Sequence, residues 1–309
     1  MIQKLKWSNH DEWLAIRHKY IGGSDAGTVV GLNEYSSPYK LWAEKTDRIP
    51  PFEGNTITEV GSFLEDFVAQ QFEKMTGKQV RRTNFTYVND RFPWACANVD
   101  RLVSGSKEIL EIKTTSNYEY IKKLKAGEII GTWWAQILHY MTVLEVKKAY
   151  LAVLVDCREV IIKEFDFDEA ESDALMSAES NFWYGVCNDI PPAMDGSEAT
   201  TEALRTIYAE SSSGREADLT AVGFHLQAYA SLNRQIAELM EQRDAHQAEV
   251  MNFMQDAEKG KYGAYSVSWK TQQRKTFDRK AYEQDHGPIG DQYYKVSTSR
   301  PFKITVKEK

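Results

Sequence analysis

Cysteine is scarce in this chain: three in 309 residues, at positions 96, 157 and 187. Three widely spaced thiols argue against a disulfide framework or a zinc site. They suit a reducing compartment, so the expected location is the cytoplasm. Long apolar runs are also lacking. None approaches the roughly 20 residues that a membrane helix needs, so no membrane partner is expected. The opening MIQKLKWSNHDEWLAIRHKY has no apolar segment of the kind a secretory signal carries. Positive charge is in deficit, with 38 Lys and Arg against 45 Asp and Glu, a net −7. That balance argues against a protein that coats nucleic acid. It leaves room for an enzyme that meets DNA in one local basic channel, because carboxylates gathered around cations add to the acidic count. Internal repeats and low-complexity tracts are absent.

What remains, 42% hydrophobic and 27% charged residues, is an ordinary globular composition. The length allows one large α/β domain and a smaller appendage. Residues 7–46 read as helix, Gly-rich turn, helix, with Ser24 or Asp25 as an N-cap for AGTVVGL. A helix is expected over 58–76, with Val60, Phe63, Leu64, Phe67, Val68, Phe72 and Met75 on its apolar face and Gly77 as its stop. Strand-like stretches follow in QVRRTNFTYV, WACANVDRLV and EILEIKTT. Then come a helix over 132–144, the strands AYLAVLVD and EVIIKEFDF, and an amphipathic helix in DEAESDALMSAESNFWYGVCN. The Pro- and Gly-containing stretch 189–199 reads as a linker, dividing the chain into a core at 1–195 and a module at 196–309. In that module Leu219, Val222, Leu226, Tyr229, Leu232, Ile236 and Leu239 recur at helical spacing. GAYSVSWKTQQRKTF and YYKVSTSRPFKITV are expected to be paired strands.

The chemistry concentrates in VDRLV-SGSK-EILEIK. Two β-prone runs flank the loop Ser104-Gly105-Ser106-Lys107. That loop sets Val103 against Glu108 and, counting outward, Asp100 against Glu111. Opposed residues carry Cβ atoms roughly 4.5–5.5 Å apart on one face. Lys113 shares the face of Glu111, while Leu110 and Ile112 point the other way, into the core. Two carboxylates and an ammonium beside apolar residues are costly to bury without purpose. They make sense around a divalent cation. Oxygen ligands suit Mg²⁺ or Mn²⁺, which keep waters and bridge to substrate phosphate. Such a cation polarises the phosphate and activates a bound water, with Lys113 placed to orient that water or offset developing charge. An isolated E-x-K is more often an ordinary cross-strand neighbourhood, so the remaining pattern must decide.

Glu65, on the apolar-rich helix, is either a solvated acid or a further carboxylate for the same site. Gln136 and Tyr140 lie four apart on one helical face with His139 beside them; no role is assigned to His139. Arg17 and Ser24 bracket a helix end and a Gly-rich turn, a geometry suited to gripping a phosphate but, on its own, more often an ordinary cap.

In order, IGGSDAGTVVGLNEYSSPYKLWAEKT, GSFLEDFVAQQFEKMTG, WACANVDRLV, LEIKTT and AQILHYMTVLEVKKAYLAVL resemble the YqaJ family of viral recombination nucleases, relatives of phage lambda exonuclease in the PD-(D/E)xK superfamily. The resemblance spans about residues 14–192. Asp100 stands in the first acidic motif, preceded by Val99 where proline is usual; Glu111-Ile112-Lys113 is the E-x-K, and Gln136 to Tyr140 is the Q-x-x-x-Y element. The resemblance implies Asp100, Glu111 and the Ile112 carbonyl as metal ligands, Lys113 as helper of the attacking water, and Glu65 as a ligand through water or a second ion. Arg17, Ser24 and Gln136 match positions that hold a terminal 5′-phosphate; Asn98 stands where a serine is found. The fold implied is a restriction-endonuclease-like α/β (α+β) one, a mixed central sheet flanked by helices, followed here by a helical and β-hairpin module. The activity implied is Mg²⁺-dependent 5′→3′ digestion of linear duplex DNA, with two ions per site. It leaves 3′ single strands for a RecT-type annealing protein. A trimeric ring is the implied assembly.

The module at 196–309 lies outside those motifs, and a subunit-packing role is the expectation. The alternative is a dock for the annealing protein or a DNA guide, suggested by Lys270, Arg274, Lys275, Arg279 and Lys280. Three cysteines cannot supply the four-cysteine cluster of a Cas4-like nuclease, and no G-x-x-x-x-G-K-[ST] is present for a helicase fusion. An endonuclease of the same fold and a catalytically silent DNA-binding scaffold remain as alternatives.

Overall fold

A computed structural model describes residues 1–52, 54–295, 297 and 299–305. The chain begins with β1 (Ile2–Lys6), α1 (His10–His18) and the short β2 (Ile21–Gly22). Then follow α2 (Gly23–Val29), α3 (Pro38–Lys45) and the 21-residue α4 (Thr56–Thr76). The start of α4 is fixed by the Asn55 side chain, which accepts from the amides of Ile57 and Thr58, and its end by Gly77 at φ 72°.

Next come β3 (Val80–Arg81), β4 (Phe85–Asn89), β5 (Phe92–Ala97), β6 (Arg101–Val103) and β7 (Glu108–Thr115). After α5 (Tyr118–Lys125) and α6 (Gly131–Leu144) the chain continues through β8 (Lys148–Val155), β9 (Glu159–Asp166), α7 (Glu169–Cys187) and α8 (Glu198–Ile207). Five strands form a mixed sheet in the order β3-β6-β7-β8-β9, and four form a second sheet, β1-β4-β5-β2. Strands β7 and β8 run parallel from Glu108↔Lys148 to Thr115↔Val155, and the other neighbours in the mixed sheet are antiparallel. The expected runs QVRRTNFTYV and WACANVDRLV are each split. Asn98, Val99 and Asp100 carry the chain from one sheet to the other.

Helices cover both faces of the mixed sheet. On one, Ile109, Leu151 and Val153 pack against Ile137 and Met141 of α6. On the other, Leu110, Ile112 and Ala152 pack against Val68 and Phe72 of α4. Nine consecutive residues of α6, Ala135 to Val143, are buried, so this helix is enclosed on all sides. The sheet side of α4 is narrower than its apolar pattern suggested: Val60, Phe63, Phe67 and Met75 are exposed.

The described residues divide into two compact units, Met1–Tyr208 and Ala209–Lys309. The division falls later than residue 195 because α8 belongs to the first unit, where Ala203, Leu204 and Ile207 join Tyr39, Trp42 and Phe182 in one cluster. The second unit holds α9 (Gly223–Met254), the hairpin β10 (Lys259–Tyr262) with β11 (Tyr265–Ser268), and α10 (Arg279–His286). Its strands pair within 259–268, whereas the expected pairing of GAYSVSWKTQQRKTF with YYKVSTSRPFKITV is not seen among the described residues. The latter run includes 296, 298 and 306, which lie outside them.

Candidate active site

The β6–β7 hairpin has the register read from its loop. Arg101 pairs with Leu110 and Leu102 with Ile109, so one step further Asp100 lies across from Glu111. The backbone ladder stops there, and the Asp100 side chain takes over: its Oδ2 accepts from the Ile112 amide at 2.8 Å. Pleating then sends Glu111 and Lys113 to the α6 side, where Gln136 meets both. Lys113 Nζ donates to Glu111 Oε1 and to Gln136 Oε1, each at 2.8 Å, and Gln136 Nε2 donates to Glu111 Oε1 at 2.6 Å and to the Tyr140 hydroxyl at 3.2 Å. Glycine is required at position 23 beside this network, because a Cβ there would stand 2.3 Å from the Tyr140 ring.

Asp100, Glu111 and Lys113 line one cleft of about 360 Å³ together with Arg17, Ser24, Glu65, Asn98, Ile112, Gln136 and Tyr140. At one end Arg17 Nη2 donates to Ser24 Oγ at 2.5 Å. Asp25, outside the expected set, secures that end: Lys45 stands 3.0 Å and Arg17 3.6 Å from its carboxylate, which also accepts from the Gly22 amide. It acts at the third helical position of α2, whose N-cap is Gly22, so neither Ser24 nor Asp25 is the cap. Burial works against its charge, but the two cations hold its carboxyl below the ordinary range. Asn98 points its amide to Thr86 Oγ1 at 2.8 Å.

Glu65 reaches the cleft from α4, yet its Oε2 is shared by Arg82 at 3.2 Å and Arg101 at 3.4 Å. Arg101 is 3% exposed and also binds Asp66 at 2.6 Å and the Asp100 carbonyl at 2.7 Å. Nothing local in the sequence marks this clamp, since it joins charges some 35 residues apart.

Burial, and then the neighbouring Glu111, push the Asp100 carboxyl well up. Burial also raises Glu111, against the opposing pull of Lys113. For Lys113, burial would favour the neutral amine, but Glu111 and Asp100 outweigh it and keep the ammonium. Glu111 is 2% exposed, and its Oε2 has no hydrogen-bond partner. A buried carboxylate oxygen without a donor is expensive. No group of three or more His, Cys, Asp or Glu among the described residues gathers closely enough to hold an ion alone. The donor set still fits a hard divalent cation that keeps several waters: the orphan Glu111 oxygen, the Asp100 carboxylate and the Ile112 carbonyl.

A mixed sheet covered by helices, with opposed acids and a lysine at the point where one sheet hands over to another, defines the restriction-endonuclease-like class. The fold matches the crystal structure of an alkaline exonuclease, LHK-Exo, from Laribacter hongkongensis with a TM-score of 0.51 at 19% identity, over 59% of this chain and 94% of that one. A second structure of LHK-Exo, in complex with dAMP, matches with the same TM-score at 18% identity, over the same shares of the two chains. Residues 12–147 match the family model of the YqaJ-like viral recombinase domain. Bacillus subtilis YqaJ is 38% identical over 309 residues, 98% of this chain and 97% of that protein. The chain belongs to the YqaJ family. The family is described as a viral recombinase domain, and the fold is shared with an alkaline exonuclease.

Proposed function

We propose that the chain is a metal-dependent 5′→3′ exonuclease acting on linear duplex DNA. The observation that carries this reading is the shared cleft, in which Asp100, Glu111 and Lys113 lie together and Arg17 and Ser24 close one end. Asp100, Glu111 and the Ile112 carbonyl would hold Mg²⁺, or Mn²⁺ in its place, with Glu65 available for a second ion once released from Arg101 and Arg82. The bound ion would polarise the scissile phosphate and make its water acidic. Lys113, fixed between Glu111 and Gln136, is placed to orient the attacking water and offset charge on the phosphate. Arg17 and Ser24 present a guanidinium and a hydroxyl to a terminal 5′-phosphate. Gln136 holds Lys113 in place, Tyr140 backs Gln136, and Asn98 lies within reach of the strand.

The product would be a 3′ single strand suited to a RecT-type annealing partner, and the family likeness favours a trimeric ring. No helix among the described residues is long and apolar enough to cross a membrane. The deciding experiment compares linear duplex with covalently closed circular DNA, in Mg²⁺ and in EDTA. Digestion of the linear form alone, abolished by EDTA, is expected. Efficient cutting of the closed circle would replace this reading with an endonuclease, and loss of neither form in Mg²⁺ would leave a DNA-binding scaffold.

A further inference from the structure

A second cleft, of about 370 Å³, adjoins the first and shares Trp13, Ser62, Glu65, Asn98 and Asp100 with it. Its size falls in the range of roughly 300–1,000 Å³ usual for ligand sites. Its outer walls come from two connections that the pairing of β1 with β4 brings together, Lys6 opposite Phe85. One carries Trp7 and leads from β1 to His10, the first residue of α1; the other leads from β3 into β4 and carries Arg82 and Asn84.

The lining is planar and polar at once. His10, Trp13 and Arg17 occupy one face of α1, at spacings of three and four. The His10 ring lies 5.1 Å from Trp13 at 32°, and the Arg17 guanidinium lies 4.8 Å from the same Trp13 ring. His10 is exposed, so its ring is open to a further stacking partner. The Trp7 indole N–H is shielded from solvent and has no acceptor. Arg82 is half-exposed and adds a guanidinium within 3.2 Å of Glu65. Aromatic faces with a guanidinium and an amide are the groups that take a nucleobase and its phosphate.

Resting on the nuclease reading, we propose that this second cleft receives the nucleotide on the 3′ side of the scissile phosphate, the new end of the retained strand, with its base on the His10–Trp13 platform and its 3′-phosphate toward Arg82. A strand whose terminal phosphate sits at Arg17 and whose scissile phosphate sits at Asp100 and Glu111 must continue past the carboxylates, and this cleft, lined by Asp100 but by neither Arg17 nor Ser24, is the adjoining space. The seven residues from Arg17 back to His10 rise about 10 Å along the helix. That length covers the two steps from the terminal phosphate to the 3′-phosphate of the second nucleotide at about 3.4 Å or more each.

The test uses the full chain carrying Lys113→Ala and a 5′-phosphorylated duplex, with affinity measured in Ca²⁺. An abasic residue at the second nucleotide should weaken binding about fivefold or more, and one at the sixth should not. His10→Ala should weaken the intact duplex by a similar factor, have no effect on the duplex abasic at position two, and be rescued by His10→Trp. An abasic second position without effect, effects of the two changes that simply multiply, or no binding to the duplex at all would overturn the proposal. Digestion of the intact duplex by the unsubstituted chain in Mg²⁺ is scored separately. Binding that depends on the second base without any digestion would remove the nuclease reading and leave the base subsite standing.

Discussion

Lys113 is the residue through which the polar network of the cleft is joined: remove its ammonium and Glu111 keeps only Gln136 as a donor. Lys113→Ala is therefore expected to lower turnover about 10²–10³-fold, the scale of losing one preorganised donor to a reacting oxygen. DNA binding measured by anisotropy should persist, because Arg17 and Ser24 remain. Near-normal turnover would remove Lys113 from the site. Glu111 offers a check that does not depend on DNA. Burial raises the Asp100 and Glu111 carboxyls, so without metal their ionisation opposes folding as pH rises from the unfolded carboxylate range into the raised folded one. Metal binding needs the ionised forms and reverses that cost. Saturating Mn²⁺ should raise Tm by about 5–10 °C, the effect of a ligand at some 100 times its Kd on a unit of this size. The rise should grow with pH and be lost in Glu111→Gln. A pH-independent shift, or one retained by the variant, would place the ion elsewhere.

Helices α6 and α7 and strand β5 are tied by one buried pair that the sequence did not explain. His139, fully buried, has Nδ1 at 2.7 Å from Glu179 Oε1 and Nε2 at 2.9 Å from the Cys96 carbonyl. The Cys96 carbonyl is an acceptor, so Nε2 carries a proton, and the neighbouring Glu179 favours a second one on Nδ1. Burial works against that charge, but Glu179 prevails and the histidine pKa is raised. A raised folded pKa means that the contribution is fully present below the unfolded value of about 6.5 and is lost as pH rises through the folded value. His139→Gln should thus destabilise the chain by roughly 2 kcal/mol or more at pH 6, as expected when a buried ionic hydrogen bond is broken. The deficit relative to the unsubstituted chain should shrink towards pH 9 in denaturant titrations, and a deficit constant across that range would show the ring to be neutral. At this scale the sequence was most legible where period and loop length fix geometry. A four-residue loop determined the Asp100–Glu111 pairing, and alternation placed Lys113 with Glu111. It was least legible where contacts join distant segments. Arg101 and Arg82 on Glu65, Lys45 on Asp25, and Glu179 on His139 leave no periodic trace. The apolar pattern of α4 likewise could not show that only its Leu64, Val68, Ala69 and Phe72 side meets the sheet.

For the molecule as a whole, the instructive difference is where the first unit ends. Composition placed a linker at 189–199, and those residues are indeed mostly outside regular structure until Glu198. Composition could not reveal that the helix after them returns. Helix α8 is short and polar on three sides, but its N-cap Ser197 and Thr200 lock it onto α3 through the Thr200 hydroxyl, which donates to Ser37 Oγ at 2.7 Å. Both side chains are buried. Ala203, Leu204 and Ile207 then cover Tyr39, Trp42 and Phe182. A chain ending after Tyr208 should keep every buried cluster of the first unit and unfold cooperatively at close to the full-length Tm. One ending at residue 195 uncovers that cluster and takes the Thr200 donor from the Ser37 hydroxyl, which keeps the Lys40 amide. With roughly 1.5–3 kcal/mol for each large aliphatic side chain taken from water, the loss is on the order of 3 kcal/mol. That corresponds to about 5–10 °C in Tm for a unit of about 200 residues. Calorimetry of the two truncations distinguishes the boundaries directly. Equal Tm values would mean that α8 contributes nothing to the first unit and that the division belongs at 195 after all.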